Sequence, residues 1–466
     1  MALSEAGLDP KFFSGEITGT ITISAYDTMF YRNFLVDAAK AFESLYPGIM
    51  VNVETFSAMP VIKTGDQGMM VVEIQNDPQS RADYISRINT NIMSGTGADL
   101  YAMDVLPLHK CAESGTLENL DSYIATDPGF HKRDYRENIL DAARFKDGTW
   151  FLPLDYDFNF FTYDTTLVPV EIGGSFGIDD PVSTEDLLRI GTVLYNGTYK
   201  LFNIHDYSRG PISMFNILLN ENIQSYLNLE TRKANFVDGS FASMLNSVKN
   251  YGAQGFIPQG VTGQQDAGQL RQRTAGASAD RFYFKQYNAT NLLAQFTRKL
   301  GMVMRSEGGM AAGIVSDDEI AGIRANANGS VSFTFSQGYG INSQSKNKAA
   351  AWAFIKFLLS KEVQLSPNFI AMGLPINNEA RFEKAELTIS AFAGSTEAMN
   401  DQLRKALDEY RAAAETLSDS IDTFVLLDSS LNDMIAQEVV YFFGNSRTAD
   451  EVARVLQNKA DLYLSE

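Results

Sequence analysis

The opening of the chain is its strongest constraint, because a strand pattern of period two gives way to a helix pattern of period 3.6 and then to a second strand. Ile21, Ile23 and Ala25 alternate with Thr20, Thr22 and Ser24, so a first strand is expected from about Ile17. Phe34, Leu35, Ala38, Ala39, Phe42, Leu45 and Tyr46 then keep to one helical face, until Pro47-Gly48 stops the helix before a strand at Ile49 to Val53. This is a βαβ opening, and strands alternating with helices predict an α/β architecture. A second helix pattern, carried by Tyr84, Ile85, Ile88 and Ile92, ends at Ser94-Gly95-Thr96-Gly97 and leads into a short buried strand from Asp99 to Asp104. Open α/β sheets collect ligands at the carboxyl ends of their strands. That rule singles out Tyr26 and Asp27 after the first strand and Met103 and Asp104 after the later one.

Farther along, Trp150 to Tyr163 is rich in aromatics and β-formers, and Pro153 within it marks an edge or a crossing between units. A domain junction is placed there. Gly260 to Ala279 reads as a long exposed loop, and residues 1–16 as a flexible tail without periodicity. Val331, Phe333 and Phe335 alternate as in a strand, Gly338-Tyr-Gly340 reads as a break, and Ala350, Ala351, Phe354, Ile355, Leu358 and Leu359 follow as a helix with Trp352 in the core. The remainder is mostly helical: Leu403, Leu407, Tyr410, Leu417 and Ile421 recur at helical spacing, and Thr448-Ala-Asp-Glu451 is a capping box that opens the last helix.

Composition matters mainly for what it excludes. A chain of 466 residues is long enough for two or three folded units. With 38 basic against 57 acidic residues the net charge is −19, which argues against a nucleic-acid backbone or an anionic membrane as partner. Cys111 is the single cysteine and His109, His131 and His205 are the only histidines, so neither an internal disulfide nor a zinc arrangement is indicated, and no metal or cofactor is expected. His109 and His131 precede lysines and read as surface; Cys111 reads as a small buried residue. No phosphate loop, dinucleotide fingerprint, nucleophile elbow or kinase signature occurs, so no catalytic residue is assigned. No apolar run approaches the roughly 20 residues that cross a bilayer, and no signal-peptide pattern opens the sequence. What the chain does offer is aromatic residues, 11% of the total, near carboxylates at loops and crossings: Tyr26, Tyr31, Tyr156 and Tyr207 with Asp27, Asp104 and Asp157. Aromatic faces cover the C–H faces of a sugar and carboxylates accept from its hydroxyls.

Several separated segments, taken in order, resemble the extracellular solute-binding proteins of ABC importers, in particular the sugar- and oligosaccharide-binding family of the maltose-binding type. They are Ala39-Lys-Ala-Phe-Glu-Ser-Leu-Tyr-Pro-Gly-Ile-Met-Val-Asn-Val53, Ile92-Met-Ser-Gly-Thr-Gly-Ala-Asp-Leu100 and Ala112-Glu-Ser-Gly-Thr-Leu-Glu-Asn-Leu120. Gly148-Thr-Trp-Phe-Leu-Pro153 with Phe161-Thr-Tyr-Asp164, Gly338-Tyr-Gly-Ile341, the run from Ser345 to Leu358, and Gly373-Leu-Pro-Ile-Asn377 complete the series over residues 17–380. The resemblance implies a two-lobed, periplasmic-binding-protein-like fold of type II, with the solute in a cleft between lobes joined by hinge crossings. It implies a tail over 1–16, a first lobe from 17–155 with about 312–345, and a second from 156–311 with about 346–466, which includes a helical segment 381–466. By position it assigns ligand contacts to Tyr26, Asp27, Tyr31, Met103 and Asp104 of the first lobe, to Tyr156 and Asp157 after the crossing, and to Tyr207, Arg209 and Arg305 of the second lobe. A member of that family carries a Trp near the position of Met103, so the identity of the sugar stays open.

The implied function is that of a non-enzymatic, monomeric receptor outside the cell, delivering an oligosaccharide to the permease subunits of an ABC importer by hinge closure. A cell-surface lipoprotein of a Gram-positive bacterium, or a periplasmic protein, is the expected form. The lipid-modified cysteine of such proteins does not occur ahead of Cys111, so membrane contact is expected only through an anchor outside this sequence. The alternatives are a two-lobed binder of a polyamine or cation, and a carbohydrate-active hydrolase, which would need two carboxylates about 5–10 Å apart.

Overall fold

Strands Gly19–Asp27 and Ile49–Ser57 run parallel, from Gly19 opposite Ile49 to Asp27 opposite Ser57. Helix Tyr31–Leu45 joins them, giving the expected βαβ unit. The computed structural model describes residues 18–27, 31–57, 61–64, 70–73, 78–203, 210–257, 281–298, 302–304, 310–312, 318–369, 371–390, 397–425 and 429–465. The apolar face of the joining helix buries Phe34, Leu35, Ala38 and Phe42 completely. Phe42 meets Phe354 edge-on at 5.0 Å and Phe357 at 5.3 Å, so this face docks on helix Lys348–Leu358. Burial of each of the larger side chains, Phe34, Leu35 and Phe42, contributes about 1.5–3 kcal/mol. Every residue from Ala350 to Leu358 is buried, as suits a helix that is apolar all round. Trp352 is in the core as expected, its indole N–H donating to Asp127 at 2.6 Å, and the buried Lys356 pairs with the same carboxylate.

The first sheet is ordered Ile49–Ser57, Gly19–Asp27, Leu100–Ala102, Gly338–Ile341, Leu152–Pro153. Gly338–Ile341 pairs antiparallel with both neighbours, so the expected break at Gly338-Tyr-Gly340 is an interior strand. The glycines serve close approach there: a Cβ on Gly340 would stand 2.8 Å from the carbonyl oxygen of Trp150, and one on Gly338 2.9 Å from the Phe151 ring. His109, expected at the surface, is buried, because helix Leu108–Glu113 turns Leu108, His109, Cys111 and Ala112 inward.

The second sheet is ordered Lys200–Asn203, Phe282–Asn288, Asn159–Asp164, Asp318–Arg324, Pro181–Val182. Its central strand carries Phe160, Phe161 and Thr162 with no exposure at all, which explains why a run without alternation forms a strand. The register of Asp318–Arg324 slips between Ile320 and Gly322. Gly322 sits at φ +148°, where a Cβ would collide with the carbonyl oxygen of Asp180. Helices Pro211–Tyr226, Ser240–Ala253 and Ala449–Ser465 pack in the same unit, with Phe215, Tyr226 and Phe236 all set against Phe241. Helix Glu397–Asp419 buries Leu403, Tyr410 and Leu417, but Ile421 begins strand Ile421–Phe424, which pairs with Val331–Phe333.

The chain forms two compact units. One takes the described residues of Met1–Tyr156, Phe335–Lys384 and Leu426–Asp433; the other takes those of Asp157–Thr334, Ala385–Val425 and Met434–Glu466. Residues 346–384 and 429–433, which the sequence groups with the second lobe, pack in the first unit, the former because helix Lys348–Leu358 covers the βαβ helix, whereas 318–334, expected in the first lobe, belong to the second unit, where strand Asp318–Arg324 pairs with Asn159–Asp164. Residues 1–16 and 260–279 lie outside the described residues.

Candidate functional site

In the first unit the two parallel strands named by the carboxyl-end rule are neighbours, with Ile23 opposite Leu100 and Ser24 opposite Tyr101. Continued, this register brings Tyr26 and Asp27 level with Met103 and Asp104, so four predicted residues gather at one sheet edge. Tyr26 is 3% exposed, its ring 5.6 Å from Tyr84 and 6.2 Å from Phe56, and its hydroxyl is buried without a hydrogen-bond partner among the described residues. Met103 is buried and its N–H donates to the carbonyl of Gly338 at 2.9 Å. Asp104 is half-buried as a residue, yet its Oδ1 is enclosed and has no hydrogen-bond partner among the described residues. Burial pushes its carboxyl up to about 7, against the pull of the N–H groups of Asp104 and Val105.

Tyr84 completes this cluster. Spacing alone made it a helix-face residue; the fold sets its hydroxyl 3.3 Å from that of Ser24 and within the field of Asp104. Burial raises its pKa, so the phenol stays protonated and can donate. The edge thus holds two phenols, a hydroxyl and a carboxyl enclosed by aromatic rings, a set that hydrogen-bonds to hydroxyl-bearing or amide-bearing molecules and buries apolar faces. Tyr31 is the first residue of helix Tyr31–Leu45, just beyond the end of the first strand.

At the crossing, Tyr156 belongs to the first unit and Asp157 to the second. Tyr156 has no exposed surface, and its hydroxyl accepts from Arg381 Nη1 at 2.8 Å. Asp157 is half-buried, and its Oδ1 accepts from the N–H of Ala289 at 3.0 Å. Behind it Arg324, buried on strand Asp318–Arg324, acts electrostatically on Asp157 and lies 3.9 Å from the buried Glu221. Burial pushes Glu221 up to about 7, while Arg324 and the donating hydroxyl of Thr184 pull it down. Nothing in the spacing of Thr184, Glu221 and Arg324 pointed to this network; three distant segments build it. Tyr207, Arg209 and Arg305 lie outside the described residues. A separate cavity of about 520 Å³ lies in the second unit, lined by Glu386, Leu403, Arg404, Leu407 and Arg411, and among the described residues no predicted ligand residue lines it. Among the described residues no group of three or more His, Cys, Asp or Glu side chains is arranged to hold a metal ion, and no helix is long and apolar enough to cross a membrane.

The sequence model of the family described as bacterial extracellular solute-binding protein matches residues 37–392, more than half of the chain. No curated protein matches it. Among solved structures, it is similar to a family 1 extracellular solute-binding protein from Alicyclobacillus acidocaldarius, with a TM-score of 0.56, 16% identity, and coverage of 97% of this chain and 100% of that one. It is also similar to an ABC substrate-binding protein from Listeria monocytogenes in complex with cycloalternan, at TM-score 0.54 and 16% identity, covering 96% and 99%. A cyclic alpha-maltosyl-1,6-maltose binding protein from Arthrobacter globiformis gives TM-score 0.51 and 13% identity, again covering 96% and 99%. At such identities the likeness bears on the fold, and it agrees with an α/β chain in two sheet-centred units. The protein belongs to the bacterial extracellular solute-binding proteins and has their two-lobed, periplasmic-binding-protein-like α/β fold.

Proposed function

We propose that this protein is a carbohydrate receptor, binding an oligosaccharide without altering it and presenting it to the permease of an ABC importer. The observation that carries this reading is the edge of the first sheet, where the Tyr26 hydroxyl and Asp104 Oδ1 are enclosed, without hydrogen-bond partners among the described residues, beside Tyr84 and Phe56. Sugar hydroxyls both donate and accept, so they can satisfy a phenol and a carboxyl together, while ring C–H faces pack on aromatic side chains. Tyr31, Asp27, Met103, Tyr156, Asp157, Tyr207, Arg209 and Arg305 are the further contacts of this reading. The oligosaccharides named for the structurally similar Listeria and Arthrobacter proteins are consistent with it. Transfer would use hinge closure, favoured by a solute that gains contacts in the closed state, with Tyr156–Asp157 and Thr334–Phe335 as pivots. The receptor would act as a monomer, as a lipid-anchored cell-surface protein or in the periplasm.

A thermal-shift screen against mono- and oligosaccharides, with polyamines and metal cations as controls, tests the reading. A carbohydrate at about 100 times its Kd adds about 2.7 kcal/mol and raises the midpoint, and chromatography afterwards finds the sugar intact. A rise with polyamines or cations alone would replace the carbohydrate by a cationic solute, and release of smaller sugars would make the protein a hydrolase.

A further inference from the structure

The chain leaves the first unit after Tyr156, returns at Phe335, leaves again after Lys384, and comes back once more for Leu426–Asp433; the first three of these connections lie close together. One carboxylate lies beside all three of these connections. Asp155 has no exposed surface. Its Oδ1 accepts from the N–H groups of Ser336 at 3.0 Å and Gln337 at 2.9 Å, and its Oδ2 from the Ser336 hydroxyl at 2.6 Å and the N–H of Gly373 at 3.2 Å. The Ser336 hydroxyl in turn accepts from the N–H of Met372 at 3.3 Å. Around this knot the backbone is also paired: Leu154 donates to Gln337, Ile376 donates to Leu154, and Leu374 and Pro375 lie opposite Tyr156 and Asp155. On the segment leading to the third connection, Arg381 donates to the Tyr156 hydroxyl, and Lys384 donates to the carbonyl of Phe369 at 3.1 Å within the field of Asp155.

Stability alone is a weak reason to bury a charge, since well-packed apolar groups often serve as well. Burial indeed raises the pKa of Asp155, and the donors around it only oppose that rise. What a carboxylate supplies and an apolar group does not is a set of about four acceptor positions in fixed directions, enough to tie separate segments together. We propose that Asp155 is a positioning residue that locks the first-unit ends of these three connections, so that motion there is confined to the links beyond it, at Tyr156–Asp157, Thr334–Phe335 and Lys384–Ala385. The proposal rests on the hinge-closure reading, and the test separates the two.

Nitroxide labels at Met93→Cys in the first unit and Val193→Cys in the second, 89% and 83% exposed, report the distance between units in a Cys111→Ala background. Without solute, Asp155→Asn is expected to broaden the distribution measured by double electron–electron resonance, and amide exchange at Ser336, Gln337 and Gly373 to rise about tenfold or more. Ser336→Ala, which removes one donor of four, broadens it less and carries the comparison if Asp155→Asn does not fold. Asp127→Asn is the control, because it disrupts another carboxylate cluster of the same unit, with Lys356 and Trp352, away from the connections. It is expected to lower the melting temperature and leave the width unchanged. Equal widths in the parent and the Asp155 and Ser336 variants, or equal broadening in Asp127→Asn, would overturn the proposal. Adding maltotriose to the parent is a separate arm: no shift there counts against the carbohydrate reading, while the solute-free widths still decide the role of Asp155.

Discussion

Asp104 shows how one residue can set a pH dependence. Its carboxyl is pushed up to about 7 in the folded protein, against about 3.9 for an exposed aspartate. Between these values the folded state holds a proton that the unfolded state has released, so its contribution to stability is full below about pH 4 and is lost as pH rises through about 7. Asp104→Asn should remove that slope and raise stability at pH 8 by about 1–3 kcal/mol, read from urea unfolding at pH 4, 6 and 8. Glu221 has a folded pKa near 7 for the same reason and contributes a slope of the same sign, which should remain in the variant. A variant as steep as the parent would mean that the Asp104 carboxyl is solvated. Loss of the proposed carbohydrate binding in the same variant, with the fold intact, would tie the enclosed oxygen to the solute.

Among the elements, the strand Asp318–Arg324 depends on one glycine. A Cβ at position 322 meets the carbonyl of Asp180 in a backbone conformation that disfavours other residues, and the carbonyl belongs to the strand connection next to Pro181–Val182. Gly322→Ala should cost about 2–4 kcal/mol, seen as a lower denaturant midpoint with an unchanged slope. The last helix gives a milder case. Thr448 and Glu451 form the capping box that the sequence pattern predicts, with the N–H of Thr448 donating to Glu451 at 2.8 Å and the N–H of Glu451 to the Thr448 hydroxyl at 3.2 Å. Thr448→Ala should cost about 1 kcal/mol, and a change near zero in thermal melting would show that packing of Val452 and Leu456 alone starts the helix. Caps and periodic faces are local, so they could be read in the sequence; the strand at Gly338–Ile341 could not, because its glycines answer to Trp150 and Phe151, far away in the chain.

For the whole molecule, the charge of −19 and the length bounded the classes of partner and the number of units, and they say nothing of how segments recombine. The sequence by itself determined the βαβ opening, the buried Trp352 helix, the capping box and the edge that gathers Tyr26, Asp27, Met103 and Asp104, since each follows from periodicity or from where parallel strands end. Its ordered motifs also led to the family that the chain belongs to. Only the tertiary structure decided that residues 346–384 complete the first unit, that Tyr84 faces Ser24, that Tyr156 is held by Arg381, and that Asp155 reaches Ser336 and Gly373. The physical reason is the same in each case: these are contacts across 60 to 312 positions, the longest from Phe42 to Phe354, and side chains so far apart leave no periodic trace of one another. The sequence fixes which groups are available; long-range packing determines which of them are enclosed, paired or left to meet a solute.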